Sequence, residues 1–356
     1  MEACSACSVL PSRVYQVEAM FRARTSEAAW VVGALCTLLL VAAPARAQTL
    51  EWTLATETPA TSLAGEGLQH LAEALGRTSG GRIAAKPSFD AESSVRSAGM
   101  PTAVASGFVT VGDAFSGALG GFHPVFLLPS LPFLVTSTDE ALRLYHAARP
   151  AYERVFADNG QRLLYATAWP AAGIWAKKPI VQPDDLRGLA IGISDALGVR
   201  VLRAAGAAPE HMFFDETVLR VKEGSIAAVL AAGNSEAGRR LREHLPHFTE
   251  VTYAVPLSFT TLNLETWKRL PGDLQRAVGE AAAATEERQW RAVRMRIDEN
   301  YAALRANGVT ITTTISPALR RAFTRAARSP EMTWQYMVGP TGRQVLARYR
   351  RPAGKS

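Results

Sequence analysis

The run from Pro271 to Gly308 constrains this chain most. Leu270-Pro271-Gly272-Asp273 reads as a helix start, and Gly308 closes the pattern just past Asn307. Between them Leu274, Val278, Ala282, Trp290, Val293, Ile297, Tyr301 and Leu304 recur at three- and four-residue steps, with an Ala-rich gap before Trp290. At about 1.5 Å per residue this helix runs about 50 Å, more than one ordinary domain needs. It is either a coiled-coil arm or a strut lying across two domains. Only its middle is Ala-rich, which favours the strut. The chain has 356 residues, enough for two domains of ordinary size.

Upstream of that helix, β and α patterns alternate. Strands are expected at 51–55, 82–86, 108–111, 163–167, 174–177, 189–193, 227–230, 250–253 and 258–263, and a late one at 309–314. Helices are expected at 62–75, 92–106 (broken or kinked by Pro101), 139–159, 196–205 and 216–223. The stretch 179–216 is the clearest βαβ-like unit, and its strand end at Gly192-Ile193-Ser194 is where an open α/β sheet presents groups to a ligand. Residues 126–135 are apolar with two prolines, and read as a buried crossing segment rather than a helix or central strand. Small residues around Trp169, at 168–173, read as a first interdomain crossing, and Pro256 marks a second. The alternation predicts an α/β fold with parallel-type sheets and helices on their faces.

The first 47 residues stand apart. Arg22 and Arg24 precede a 16-residue apolar run, Ala28 to Ala43, and Ala45-Arg46-Ala47 is a small-x-small exit. That is the pattern of a secretory signal peptide cut after Ala47, and the run is short for a membrane span of about 20 residues. Residues 1–19 look wrong for such a leader, and Met20 is the better start. All three cysteines (Cys4, Cys7 and Cys36) precede the cut, so the mature chain has no disulfide, thiolate nucleophile or cysteine metal site. Net charge is +7 for the whole chain and +6 after the cut. The basic residues crowd the C-terminal third but mix with Glu at helical spacing, as solvated helix faces do. No nucleic-acid motif or interleaved aromatic stretch accompanies them.

Several stretches, in order and over most of the mature chain, resemble the solute-binding proteins of TRAP transporters, the DctP-like family. They are Leu131-Pro132-Phe133-Leu134; Ile180 with Pro183-Asp184-Asp185-Leu186-Arg187-Gly188-Leu189; Ala205-Gly206-Ala207-Ala208-Pro209 followed by Glu216; Lys222-Glu223-Gly224; and Trp267-Lys268-Arg269-Leu270-Pro271. The resemblance implies a two-lobed periplasmic binding protein fold (type II-like), crossing strands, an interlobe cleft and a long helix across both lobes. The expected division is 48–169 in lobe I, 170–256 in lobe II, 257–298 back in lobe I, and 299–356 in lobe II with the basic C-terminal helices. It also implies delivery of a small organic acid to TRAP membrane subunits from the periplasm. One departure is large. The arginine that the family uses to grip a carboxylate, at the end of the strand after the Asp-Leu-x-Gly-Leu motif, is Gly192 here. The polar loop that follows in the family is reduced to Ala231-Ala232-Gly233, and no arginine stands between Ala168 and Trp175.

By position, the cleft should draw on Thr56, Glu57, Asp113, Phe115, Trp169, Trp175, Gly192, Ser194, Phe214, Asn234, Ser235, Tyr253 and Ser258. Aromatic groups would bury ring or aliphatic surface, and hydroxyls and amides would orient a few polar atoms. For each aromatic the competing role is core packing; for Glu57 and Asp113 it is helix capping or a solvated loop. Catalytic signatures are missing. His244 and His247 have no acidic third ligand nearby, no serine sits in a Gly-x-Ser-x-Gly elbow, and Gly117 to Gly121 lacks a phosphate-loop pattern. The expectation is a binding protein without cofactor or metal. A sensor on the same fold is the alternative, and an enzyme is third.

Overall fold

A computed structural model describes residues 49–351. The expected leader and its cut after Ala47 lie outside the described residues. Among the described residues, eleven strands run in chain order: β1 (Leu50–Ala55), β2 (Ile83–Ser88), β3 (Val111–Phe115), β4 (Gln161–Ala168), β5 (Ala172–Ala176), β6 (Ala190–Ile193), β7 (Ala208–His211), β8 (Ala228–Ala232), β9 (His247–Thr249), β10 (Leu257–Asn263) and β11 (Thr310–Thr312). They form a five-stranded sheet of order β2-β1-β3-β10-β4 and a six-stranded sheet of order β11-β9-β5-β8-β6-β7. In the first sheet β1 is parallel to β2 and β3, while β10 is antiparallel to β3 and β4. In the second, β6 is parallel to β7 and β8, and β5 is antiparallel to β8 and β9. Each sheet carries helices on its faces and its own core, which makes two lobes of α/β type.

The chain leaves the first sheet after β4, enters the second at β5, and returns after β9 to lay down β10. The helix Gly272–Ala306 follows. Its Leu274, Val278 and Ala281 pack with Trp52, Leu68 and Leu262 of the first lobe, while Tyr301 and Leu304 pack with Trp175 and Phe248 of the second. It is the strut across both lobes. Glu286 pins its middle to the first lobe, accepting from Arg149 Nη1 at 2.5 Å and from the Ala166 amide at 3.2 Å. Phe133 is a smaller tie. Its chain neighbours pack in the first lobe, but its own ring stacks on Phe323 at 4.1 Å and meets Tyr253 edge-on in the second lobe.

Four expectations differ from the structure. The third strand begins at Val111, not Phe108, because the ladder Leu54↔Val111 and Ala55↔Gly112 sets its register; Phe108 is left exposed. The helix expected over 92–106 is confined to Met100–Ala105, where Pro101 occupies the first turn and its missing N–H costs nothing. The strand expected at 250–253 is β9, three residues earlier, and Thr252 with φ 50° interrupts any extended run at the expected place. The C-terminal region does not stay in the second lobe. Leu319 and Phe323 pack there, but Trp334 on Arg328–Val338 and Leu346 on Pro340–Tyr349 belong to the core of the first. An amphipathic helix pattern fixes which face is buried but not which lobe buries it.

Candidate functional site

A cavity of about 880 Å³ lies between the lobes, beside the crossing segments. It falls within the size range of small-molecule pockets, roughly 300–1,000 Å³. The first lobe contributes Phe115, Leu127, Ser130, Leu131, Trp334 and Met337. The second contributes Ile193, Ser194, Asp195, Leu197, Arg200 and Leu230, with Ala231 and Ala232 beside them. Pro170, Ala172, Tyr253, Ala254 and Pro256, on the crossing segments, close the remaining side.

The second-lobe wall follows from one local device. β6 ends at Ile193 and Asp195 caps the helix Ala196–Ala204, accepting from the amides of Leu197 at 2.9 Å and Gly198 at 3.1 Å. The Tyr253 hydroxyl donates to the same carboxylate. Burial, and next the Asp195 carboxylate, push that hydroxyl well above its ordinary pKa, so it remains a neutral donor. Arg200 stands on the helix that this cap starts, exposed and turned to the cavity.

Of the residues expected from sequence, Phe115, Ser194 and Tyr253 line the cavity. Trp169 stands just behind, meeting Phe115 edge-on at 5.9 Å and donating from Nε1 to Ser258 Oγ at 3.0 Å. Ser258 is fully buried and orients Trp169 without lining the space. Thr56 and Asp113 are buried too. The Thr56 and Thr260 hydroxyls donate to the two oxygens of Asp113 at 3.2 and 3.1 Å. Burial pushes the Asp113 carboxyl up to about 7, against the lowering effect of those hydroxyls. Glu57 turns away to accept from Ser97 Oγ.

The remaining expected residues lie off the cavity. Trp175 is buried in the second core, with Nε1 on Ala232 O at 3.1 Å and its ring against Phe248. Phe214 begins a helix under the Arg240 guanidinium, 4.9 Å above its ring. Asn234 caps the helix Ser235–Leu241, and Ser235 is exposed beside Arg239 and Arg242. Gly192 is the main correction. Strand alternation turns Ile193 to the cavity and Gly192 to the opposite face. A Cβ at Gly192 would lie 2.4 Å from Thr217 Cγ2, so a side chain there meets a helix and not the solute space.

Sequence reasoning missed Arg200, Ser130 and the wall from the helix Arg328–Val338. Arg200 was within reach, because it lies one and a half turns past the strand end already singled out. Trp334 and Met337 carried no local signal, since their lobe is set by the last crossing.

Two sheets joined by crossing strands, a strut helix over both, and a cavity walled by both lobes define a two-lobed solute-binding protein. Residues 54–332 match the family described as bacterial extracellular solute-binding protein, family 7 (DctP), and the chain belongs to that family. Among solved structures it is similar to a Bordetella pertussis extracytoplasmic solute receptor binding pyroglutamic acid: 25% identity, 85% of this chain and 100% of that chain, TM-score 0.70. The fold is also that of a TRAP periplasmic solute-binding protein from Rhodobacter sphaeroides in an apo open structure, at 17% identity over 85% of this chain and 99% of that one, TM-score 0.78. A solute-binding protein of a Sulfitobacter strain is 24% identical over 163 residues, 45% of this chain. That match spans about half the relative's length, 49%. The family and these relatives are solute-binding receptors, not enzymes. Among the described residues no helix is long and apolar enough to cross a membrane, and no group of three or more His, Cys, Asp or Glu is placed to hold a metal ion.

Proposed function

We propose that this protein captures a small organic solute between its lobes outside the cytoplasm and delivers it to the membrane subunits of a TRAP-type transporter. The observation that carries this reading is the cavity of about 880 Å³ built jointly by both lobes at the chain crossings. A solute touching both walls binds the closed form better than the open one, so binding raises the closed population. Phe115, Ser194 and Tyr253 are the contacts anticipated by position, to which Ser130 and Arg200 are added. Export by a leader cut after Ala47 is part of the same proposal, and the membrane subunits would read the closed shape.

The similar Bordetella pertussis receptor binds pyroglutamic acid, which makes that compound a natural first probe. The test is calorimetric titration of the mature chain with pyroglutamate and with mono- and dicarboxylates, aromatic acids, polyols and amines, with small-angle scattering of each complex. Saturable one-to-one binding, a smaller radius of gyration and unchanged recovered solute are expected. Turnover of a bound compound, or no binding anywhere in the panel, would sink the reading.

A further inference from the structure

The charge and polarity of the cavity go further than its size. Asp195 and Arg200 are the charged side chains on its lining. They are not equivalent. Asp195 is already engaged by two helix amides and the Tyr253 hydroxyl. The helix N-terminus, elsewhere a ready anion site, is therefore occupied by the protein's own carboxylate. Arg200 is the opposite case. The ion pairs of this lobe join Lys178, Arg187, Arg220 and Arg240 to Asp185, Asp184, Glu210 and Asp215. Among the described residues they leave Arg200 with no carboxylate within 4.0 Å. Across the cavity, Ser130 lines the wall; its Oγ is shielded from solvent, has no hydrogen-bond partner, and meets a solute only once the hydroxyl turns toward the space. A shielded hydroxyl without a partner is a cost that a bound polar group removes. Between these points the walls are apolar: Ile193, Leu197 and Leu230 on one side, Leu127, Leu131 and Trp334 on the other.

We infer that the solute is an amphipathic monoanion, with one carboxylate on Arg200, a polar atom on Ser130 and an apolar body between them. This rests on the receptor reading and names the ligand class of the same site. A dicarboxylate fits poorly, because its second charge would be buried against aliphatic walls, near Asp195 and without a cation. Gly192 is consistent with the relocation. The strand position is closed by Thr217, and the cation has moved to the helix that follows.

The test is calorimetry on the mature chain with 3-phenylpropanoate, its neutral amide, 3-phenylpropylamine, succinate and pyroglutamate. The phenyl acid should bind at least about tenfold more tightly than its amide or succinate, a difference typical of a hydrogen bond to a charged group. Arg200→Met should weaken the acid by about tenfold or more and the amide by much less, with Arg200→Lys between. Ser130→Ala should cost pyroglutamate, whose lactam supplies the second polar atom, about two- to tenfold, and the phenyl acid, which lacks one, less. The melting temperature of each ligand-free variant controls for folding. Equal binding of acid and amide, tighter binding of the amine or of succinate, or an Arg200→Met variant that keeps its affinity overturns the monoanion assignment while the receptor reading stands. No saturable binding by these probes or by the wider panel overturns both.

Discussion

The first-lobe wall of the cavity is mostly the outer surface of a core, whereas the second-lobe wall sets half-buried Leu197, Ala231 and Ala232 beside the core residues Ile193 and Leu230 and carries the charge. Trp334 shows the first condition. It is fully buried, donates from Nε1 to Pro124 O at 2.8 Å, and shares a core with Phe126, Tyr152, Phe156 and Phe259. Leu197, Ala231 and Ala232 show the second: they are half-buried at the margin of a core, although the Ala232 carbonyl accepts from Trp175 Nε1. The contrast teaches where specificity can change. Altering a core residue such as Trp334 disturbs the stability of a lobe, while altering the half-buried and charged part of the second wall changes what is bound at little structural cost.

Four substitutions would break or sharpen that contrast. Trp334→Ala should lower the unfolding free energy by about 3–5 kcal/mol in urea denaturation, as for other buried aromatic truncations. A loss under about 1 kcal/mol would mean that the first wall is no part of the core. Gly192→Arg comes next. On sequence alone it should restore carboxylate affinity; with a Cβ driven into Thr217 it should instead cost about 3 kcal/mol and add no affinity. Improved carboxylate binding by this variant would return the anchor to the strand.

Asp113→Asn is a pH experiment on the layer beneath the first wall. Its carboxyl titrates near 7 when folded, against an ordinary value of 3.8. Between those values the folded state holds a proton that the unfolded state has lost. Stability from this group is therefore greatest below the ordinary value and falls as pH rises toward 7. The Asn variant should gain about 2 kcal/mol at pH 8 and little at pH 4, flattening the melting temperature against pH. A variant that tracks the parent at every pH would show Asp113 to be ionised in the fold. The smallest effect is that of Arg200→Met on the ligand-free protein, within about 0.5 kcal/mol by thermal melting, since the side chain is exposed.

Much of the fold was legible because its signals are local. The strut helix shows a Pro-Gly start, a Gly stop and an apolar face, and its observed bounds differ from the expected ones by a residue or so. β6 and the helix behind it were equally plain. What was not legible depends on partners distant in sequence. Asp113 was expected on a loop after its strand; pairing with β1 and β10 moves the strand three residues and buries the acid between two threonines. For Gly192, position along the strand was clear but the facing helix was not, and Thr217 is what empties the site of a side chain. Arg200 could have been found by asking which face of the following helix points back to the strand end.

The place of β10 has a consequence for biosynthesis. Residues 257–263 form an inner strand of the first sheet, with β3 on one side and β4 on the other. A ribosome delivers β1 to β4 first, yet β3 and β4 cannot join until a strand made roughly a hundred residues later slides between them. The second lobe has less to wait for, since β5 to β9 arrive consecutively and only the edge strand β11 comes late. The lobe begun first is therefore finished last. A nascent chain halted before residue 257 carries two bare strand edges, which invite pairing with other chains. Such delay also keeps the chain threadable, which is an advantage to any protein that must be moved across a membrane before it folds.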